Sequence, residues 1–366
     1  MFEDLKKKLN DKDFVVSIIG LGYVGLPLAL LFAKKGIKTK GIDIDQKKID
    51  DLLKGKTYIN HIKNQTIFEC IKSGFLSVSS DYQEIKKSNV IILCLPTPLN
   101  KFREPNLDYI KNTLLSIDPF LVKGQLISLE STTYPGSTEE LMTPIIKKKN
   151  IKIGDDFFVV YSPEREDPGN KKYKTENIPK IVGGLTEQCT ELGSILYLKA
   201  IKEVYKVSNT KVAEMTKLLE NIHRCVNISL INELKPLCLA MGIDIYEVIN
   251  AAKTKPFGFS AYYPGPGLGG HCIPIDPFYL SWKAREFNMS TKFIELSGEV
   301  NASMPGFVVK RTIEALNAEC KSINKSKILI LGISYKKNID DIRESPSIEI
   351  IKILLEQGAI INYSDP

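Results

Sequence analysis

The sequence has little from which to build a metal centre or a disulfide framework. Its 366 residues include three histidines, His61, His223 and His271, far apart, so no metal site is expected. The seven cysteines, Cys70, Cys94, Cys189, Cys225, Cys238, Cys272 and Cys320, form no CxxC pair. Their odd number argues against a complete disulfide set and for a reducing cytoplasm. Long apolar runs are also missing: Val90 to Leu95 is among the longest, and the leader MFEDLKKKLNDKD is charged without an apolar region. Neither a signal peptide nor a membrane-spanning helix is expected. Arginine is scarce and unclustered, six among fifty basic residues, so the net charge of +7 describes a solvated lysine-rich surface. Such a surface favours small anions over nucleic acid.

What is present is ordinary globular material, 43% apolar and 25% charged, in a chain long enough for two or three domains. The runs Phe14 to Ile19, Lys38 to Asp43, Val90 to Leu95, Gln125 to Leu129, Phe157 to Tyr161 and Lys180 to Val182 read as strands. Helical stretches such as Pro27 to Lys35 lie between them. That alternation predicts an N-terminal α/β domain with a parallel, Rossmann-like sheet over residues 1–185. From Thr186 the period becomes helical, and Val212, Met215, Leu219, Ile222, Val226, Leu230, Leu234 and Leu237 mark one long amphipathic helix. This predicts an all-helical middle domain, 186–320, interrupted by the Gly/Pro-rich loop from Tyr263 to Gly270. Lys327 to Gly332 and Ala359 to Tyr363 begin a second Rossmann-like domain, 321–366. Two strands and one helix cannot cover both faces of a parallel sheet, so the chain reads as a fragment.

Gly20, Gly22, Tyr23, Val24 and Gly25 stand in a GxGxxG turn directly between a strand and a helix, and Asp43 ends the next strand. Glycines there permit a tight turn and close approach of a pyrophosphate to the helix N-terminus, while the acid accepts ribose hydroxyls. An acid rather than an arginine favours NAD over NADP. Cys272, in the irregular loop Gly269 to Asp276, is a candidate nucleophile, with Asp276 placed to orient a proton-transfer partner or water. The other six cysteines read as small buried hydrophobes. His271 is either a substrate contact or a self-satisfied loop residue. On the long helix, Glu214, Lys217, Asn221 and Arg224 share a polar stripe. Spacing alone favours a solvated face, and the functional alternative puts Lys217 and Asn221 beside a developing oxyanion. Glu164, at a strand end in Tyr161 to Arg165, is a reactive carboxylate or a surface one.

Together GLGYVGLPLA from Gly20, LPTP from Leu95, ESTTYPGST from Glu130, YSPER from Tyr161, KLLEN from Lys217 and PGPGLGGHCIPIDP from Pro264 resemble the UDP-glucose/GDP-mannose dehydrogenase family. The resemblance covers almost the whole chain in the family's order. HCIPIDPFYL and the preceding KPFGF look like the branch that oxidises UDP-N-acetylglucosamine at C6. It implies a four-electron oxidation of a sugar alcohol to a carboxylate with two NAD and one water, through a thiohemiacetal and a thioester on Cys272. It further implies that Lys217 and Asn221 steady oxyanions, that Asp276 assists the base or water, and that Glu164 and Thr132 order the hydrolytic water. Asp43, Lys48, Thr97 and Thr132 would line the NAD site, with Arg343 reaching in from the third domain. Lys255, Tyr263, Gly267 and Lys336 would join Glu164, Lys217 and Asn221 as substrate contacts, and the middle domain would form a homodimer.

Two departures stand out. After Glu164 the chain reads Arg165-Glu-Asp-Pro-Gly169, so no second catalytic acid is transferred there, and the family's third domain normally continues beyond Pro366. The alternatives are the same chemistry on UDP-N-acetylmannosamine or UDP-glucose, a two-electron hydroxy acid dehydrogenase, and a nucleotide-sugar binding protein without turnover. The Gly-rich cysteine loop argues against the hydroxy acid enzyme.

Overall fold

The computed structural model describes residues 1–366 except 61, 167–172, 174, 271–272, 338–340 and 366. It divides into two compact units, Met1–Leu218 and Leu219–Pro366. The first is built on an eight-stranded sheet of β1 (Val15–Ile19), β2 (Lys38–Ile42), β3 (Leu76–Ser79), β4 (Val90–Leu93), β5 (Leu126–Leu129), β6 (Phe158–Tyr161), β7 (Lys180–Gly184) and β8 (Val204–Lys206). Their spatial order is β3-β2-β1-β4-β5-β6-β7-β8. The direction of winding reverses between β1 and β4, where doubly wound sheets open a crevice for a ligand. Every residue of β4, β5 and β6 is buried, as expected of parallel strands covered on both faces.

Six of the eight strands were expected. The two that were not, β3 and β8, are the edges of the sheet: LSVS is short and half serine, and VYK is largely exposed. Edge strands bury less apolar surface and give a weaker pattern. One further difference is that β7 runs antiparallel to β6, pairing Val160 with Gly184 and Tyr161 with Gly183. A parallel return is usually made by a helical crossover. Between Ser162 and Pro179 the only helical element among the described residues is one turn, Thr175–Asn177. Residues 186–206, where helical period begins in the sequence, form the helix Glu187–Leu198 and β8. That helix packs on this sheet through Cys189, Leu192, Leu196 and Tyr197.

The helix Thr210–Ala240 runs from the first unit into the second, which also holds the helices Ile245–Ala252, Asp276–Ala284 and Lys292–Ala318. At the C-terminus β9 (Lys327–Leu331) and β10 (Ile360–Ser364) pair in parallel, joined by the helix Pro346–Glu356. Val309, Ile350, Leu354 and Ala359 form a small core on one face of this pair. Leu329 and Leu331 remain 59% and 78% exposed.

The long helix corrects one expectation. Its polar stripe is the buried one: Glu214, Lys217 and Asn221 are 0%, 7% and 5% exposed, and only Arg224 is open. Val212, Leu219, Leu230 and Leu237 of the apolar stripe are 41–58% exposed. Buried polar groups demand partners, so a helix turns such a face inward only where partners or a ligand meet it. The cysteines are also less uniform than expected. Cys70, Cys189 and Cys225 are buried, Cys94 and Cys238 partly so, and Cys320 is exposed in the turn after Lys292–Ala318, at φ 51°. Among the described residues no helix is long and apolar enough to cross a membrane.

Candidate active site

The glycine turn shows three different uses of a missing side chain. A Cβ on Gly20 would lie 2.2 Å from the Cys94 carbonyl oxygen, and one on Gly25 would lie 1.9 Å from the Gly20 carbonyl oxygen. Gly20 also has φ +92°. A Cβ on Gly22 would meet nothing within 4 Å. Two glycines therefore let backbones touch, and the third leaves open the approach to the helix Gly25–Lys34. That helix starts without any side-chain cap, which leaves backbone donors and the positive end of its dipole to an anion.

Asp43, 6% exposed, accepts from the Leu21 N–H at 2.8 Å and the Asp45 N–H at 2.9 Å, and pairs with the Lys48 ammonium at 3.1 Å. Its carboxylate thus ties the end of β2 to the glycine turn. The Tyr58 hydroxyl donates to the Leu21 carbonyl at 2.5 Å, and burial, with Asp43 and Asp45 nearby, raises its pKa. These residues fit a dinucleotide: an open glycine, an uncapped helix and an acid at the second strand.

The remaining candidates of this unit gather at the carboxyl ends of neighbouring strands. The Leu95 N–H donates to the Ser131 hydroxyl at 2.9 Å, so the loop with Thr97 (after β4) meets the loop with Thr132 (after β5). Glu164 follows β6 and accepts the Glu166 N–H. Behind them lies a buried network that no single motif in the sequence marks. Glu130, fully buried, pairs with Lys180 and accepts from the Tyr197 hydroxyl at 2.6 Å, which also meets Ser128 at 2.8 Å. Burial works against the Lys180 cation, but Glu130 and Glu164 outweigh it and hold its pKa above the ordinary value. Glu166 accepts from Thr175, and its pKa is pushed up to about 8 by burial first and by the like charge of Glu164 second. Glu166 therefore stands beside Glu164 in the same cluster.

On the long helix, Glu214 accepts from Gly136 N–H at 2.6 Å, Ser137 Oγ at 3.0 Å, Thr138 N–H at 2.9 Å and Thr138 Oγ1 at 2.7 Å. It caps the helix Ser137–Lys147, which has no side-chain cap of its own. Burial raises the Glu214 pKa, and the four donors oppose that. Lys217, three residues on and 7% exposed, has no ion pair among the described residues. A buried ammonium without a carboxylate is costly unless a ligand completes it.

In the second unit the Asn221 amide donates to Asp276, 3% exposed, which begins the helix Asp276–Ala284. The Gly-rich loop is tied to the long helix: Gly265 N–H donates to Asn232 Oδ1 at 2.9 Å, and Asn232 donates to Asn301 at 2.8 Å. A Cβ on Gly267, which has φ +135°, would fall 3.2 Å from Pro346, so this loop packs at the start of the helix Pro346–Glu356, which follows the segment after β9. Lys336 belongs to that segment. Tyr263 is 45% exposed and stacks on Tyr246, while Lys255 is exposed with its ammonium 5.1 Å from the Phe257 ring centre. Arg343 is exposed and held in a bidentate pair by Asp341, with Nη2 to Oδ2 at 2.6 Å. His271 and Cys272 lie outside the described residues, and so does His61.

Sheet order, glycine turn and acid together define a dehydrogenase-type dinucleotide-binding protein. Models of the UDP-glucose/GDP-mannose dehydrogenase family match residues 14–206 (NAD binding domain), 211–303 (central domain) and 329–366 (UDP binding domain). The chain is 36% identical to UDP-N-acetyl-D-glucosamine 6-dehydrogenase of Pseudomonas aeruginosa over 97% of its length and 83% of that protein. It is 34% identical to UDP-N-acetyl-D-mannosamine dehydrogenase of Methanococcus maripaludis over 96% of its length and 79% of that protein. The structure of UDP-D-ManNAc dehydrogenase from Pyrococcus horikoshii matches 96% of this chain and 83% of that one, with TM-score 0.90 and 32% identity. The chain belongs to the UDP-glucose/GDP-mannose dehydrogenase family, and is an NAD-dependent oxidoreductase of nucleotide sugars.

Proposed function

We propose that this enzyme oxidises C6 of UDP-N-acetylglucosamine through all four electrons to the uronic acid, supplying a precursor for a surface polysaccharide from the cytoplasm. The observation that carries the chemistry is the buried polar face of the long helix, where Lys217 is unpaired by any described carboxylate and Asn221 is bonded to Asp276. NAD, when bound, accepts the hydride released at each of the two oxidations. In the first, the C6 alcohol loses a proton and a hydride to become an aldehyde. Lys217 and Asn221 stabilise the oxyanion as it develops. The Cys272 thiolate adds to the aldehyde to give a thiohemiacetal, which cannot leave. Loss of its hydroxyl proton and of the second hydride gives a thioester.

Water then attacks the thioester carbonyl, the C–S bond breaks, and carboxylate and thiol are released. Glu164 and Thr132 hold that water, and Asp276 keeps Asn221 turned toward the reacting oxygen. Asp43, with Lys48, receives the adenosine ribose, while Thr97, Thr132 and Arg343 line the dinucleotide. Lys255, Tyr263, Gly267 and Lys336 hold the UDP-sugar, whose binding energy positions C6. The exposed apolar stripe of the long helix, Leu219, Leu230 and Leu237 among it, supports a homodimer through the middle domain.

The test compares kcat/KM on UDP-N-acetylglucosamine, UDP-N-acetylmannosamine and UDP-glucose, with Cys272→Ser beside the wild type. The reading expects the first sugar to lead and the serine variant to stall, releasing no uronic acid. A serine variant with undiminished uronic acid output would overturn the role of Cys272.

A further inference from the structure

The segment after β9 is braced on three sides. The Ile333 and Ser334 N–H groups donate to Asp365 at 2.7 and 2.8 Å, the Ile333 carbonyl accepts from the Ser345 hydroxyl at 2.6 Å, and the Tyr335 N–H donates to the Asp341 carbonyl at 3.1 Å. Against this braced segment lies the stem of the cysteine loop. A Cβ on Gly269 would fall 2.4 Å from the Tyr335 Cβ, and one on Gly270 would fall 2.6 Å from the Tyr335 ring. Gly269 would further meet the Glu344 carbonyl and Pro346, each at 3.1 Å. The Gly270 N–H donates to the Arg343 carbonyl at 3.1 Å, and Gly270 has φ +87°. Two consecutive glycines are thus spent on contact with one tyrosine, and the next two residues in the chain are His271 and Cys272.

We propose that Tyr335 is a positioning residue for the nucleophile: its ring and Cβ wedge against Gly269 and Gly270 and set how Cys272 is presented. The assignment rests on the proposed role of Cys272 and goes beyond it. The same segment carries Lys336 next to Tyr335, so whatever the lysine binds is mechanically joined to the cysteine loop. Packed interfaces of this kind shift as units rather than deform continuously. A loop stem released from its wedge would misplace the thiolate, and a misplacement of about 1 Å costs up to about 100-fold in rate.

The experiment follows native alkylation of individual cysteines by iodoacetamide, read peptide by peptide, alongside steady-state kinetics. It uses Tyr335→Ala, Tyr335→Phe and Gly269→Ala in the full chain. Tyr335→Ala and Gly269→Ala should change the Cys272 alkylation rate by about threefold or more and lower kcat by about 10- to 100-fold. KM for NAD should stay within about twofold. Tyr335→Phe, which keeps the ring, should restore both. Cys189, buried in the first unit, is the internal control for unfolding and should stay unreactive. Wild-type alkylation and kcat in Tyr335→Ala would overturn the proposal, and so would a Cys189 rate rising in step with that of Cys272. If the wild type reduces no NAD with any sugar, the functional reading fails, and the alkylation comparison still decides the wedge.

Discussion

At the scale of single residues, charge under burial separates scaffolding from chemistry. Glu214 gathers four donors and acts as a cap supplied by another helix. Glu214→Ala leaves those donors without an acceptor and should destabilise the protein by about 2–4 kcal/mol, read as a lower urea midpoint. Glu166 behaves differently. Its pKa in the folded protein is raised to about 8, so folding binds a proton that the unfolded chain releases at acidic pH. The stability this confers is complete below about pH 4.5 and is lost as pH rises through about 8. Glu166→Gln should flatten the fall in melting temperature between about pH 5 and 8, and an unchanged slope would contradict the assignment. Neither behaviour was legible beforehand. Glu164 was singled out because it follows a strand in a recognisable run, while Lys180 and Tyr197 lie 50 and 67 residues from Glu130 and meet it only through the sheet.

At the scale of elements, the glycine turn offers the cleanest separation of folding from binding. Gly22→Ala places a methyl where nothing stands within 4 Å. Stability should be unchanged within about 0.5 kcal/mol while NAD affinity falls about tenfold or more, because the methyl occupies the approach of the pyrophosphate. Gly25→Ala drives a methyl into the Gly20 carbonyl and should cost stability as well as NAD affinity, which calorimetry with and without NAD would distinguish. This turn was readable because its physics is local. A strand, three glycines and a helix lie within twenty residues, and the core strands announce themselves by apolar runs. The long helix was also readable as a helix, but not which of its faces was covered. Its polar stripe is inside because Glu214 serves a distant helix end and Asn221 serves Asp276, and spacing carries no information about such partners.

At the scale of the whole molecule, the covalent order of family domains was visible in the motifs, and the antiparallel turn at β7 was not, because a short apolar run carries no sign of its direction in a sheet. The exposed stripe on the long helix makes a quaternary prediction. Leu230→Asp should move the protein from dimer to monomer in sedimentation velocity without lowering NAD affinity. A wild type that sediments as a monomer would contradict the dimer. Substrate choice also belongs to this scale, since the relatives at 36% and 34% identity are named for epimeric sugars.

The most direct measurement is the number of NADH formed per UDP-N-acetylglucosamine consumed at completion. Two are expected, with the uronic acid as the only sugar product. One NADH per sugar with accumulation of the aldehyde would contradict the thioester route and the role given to Cys272.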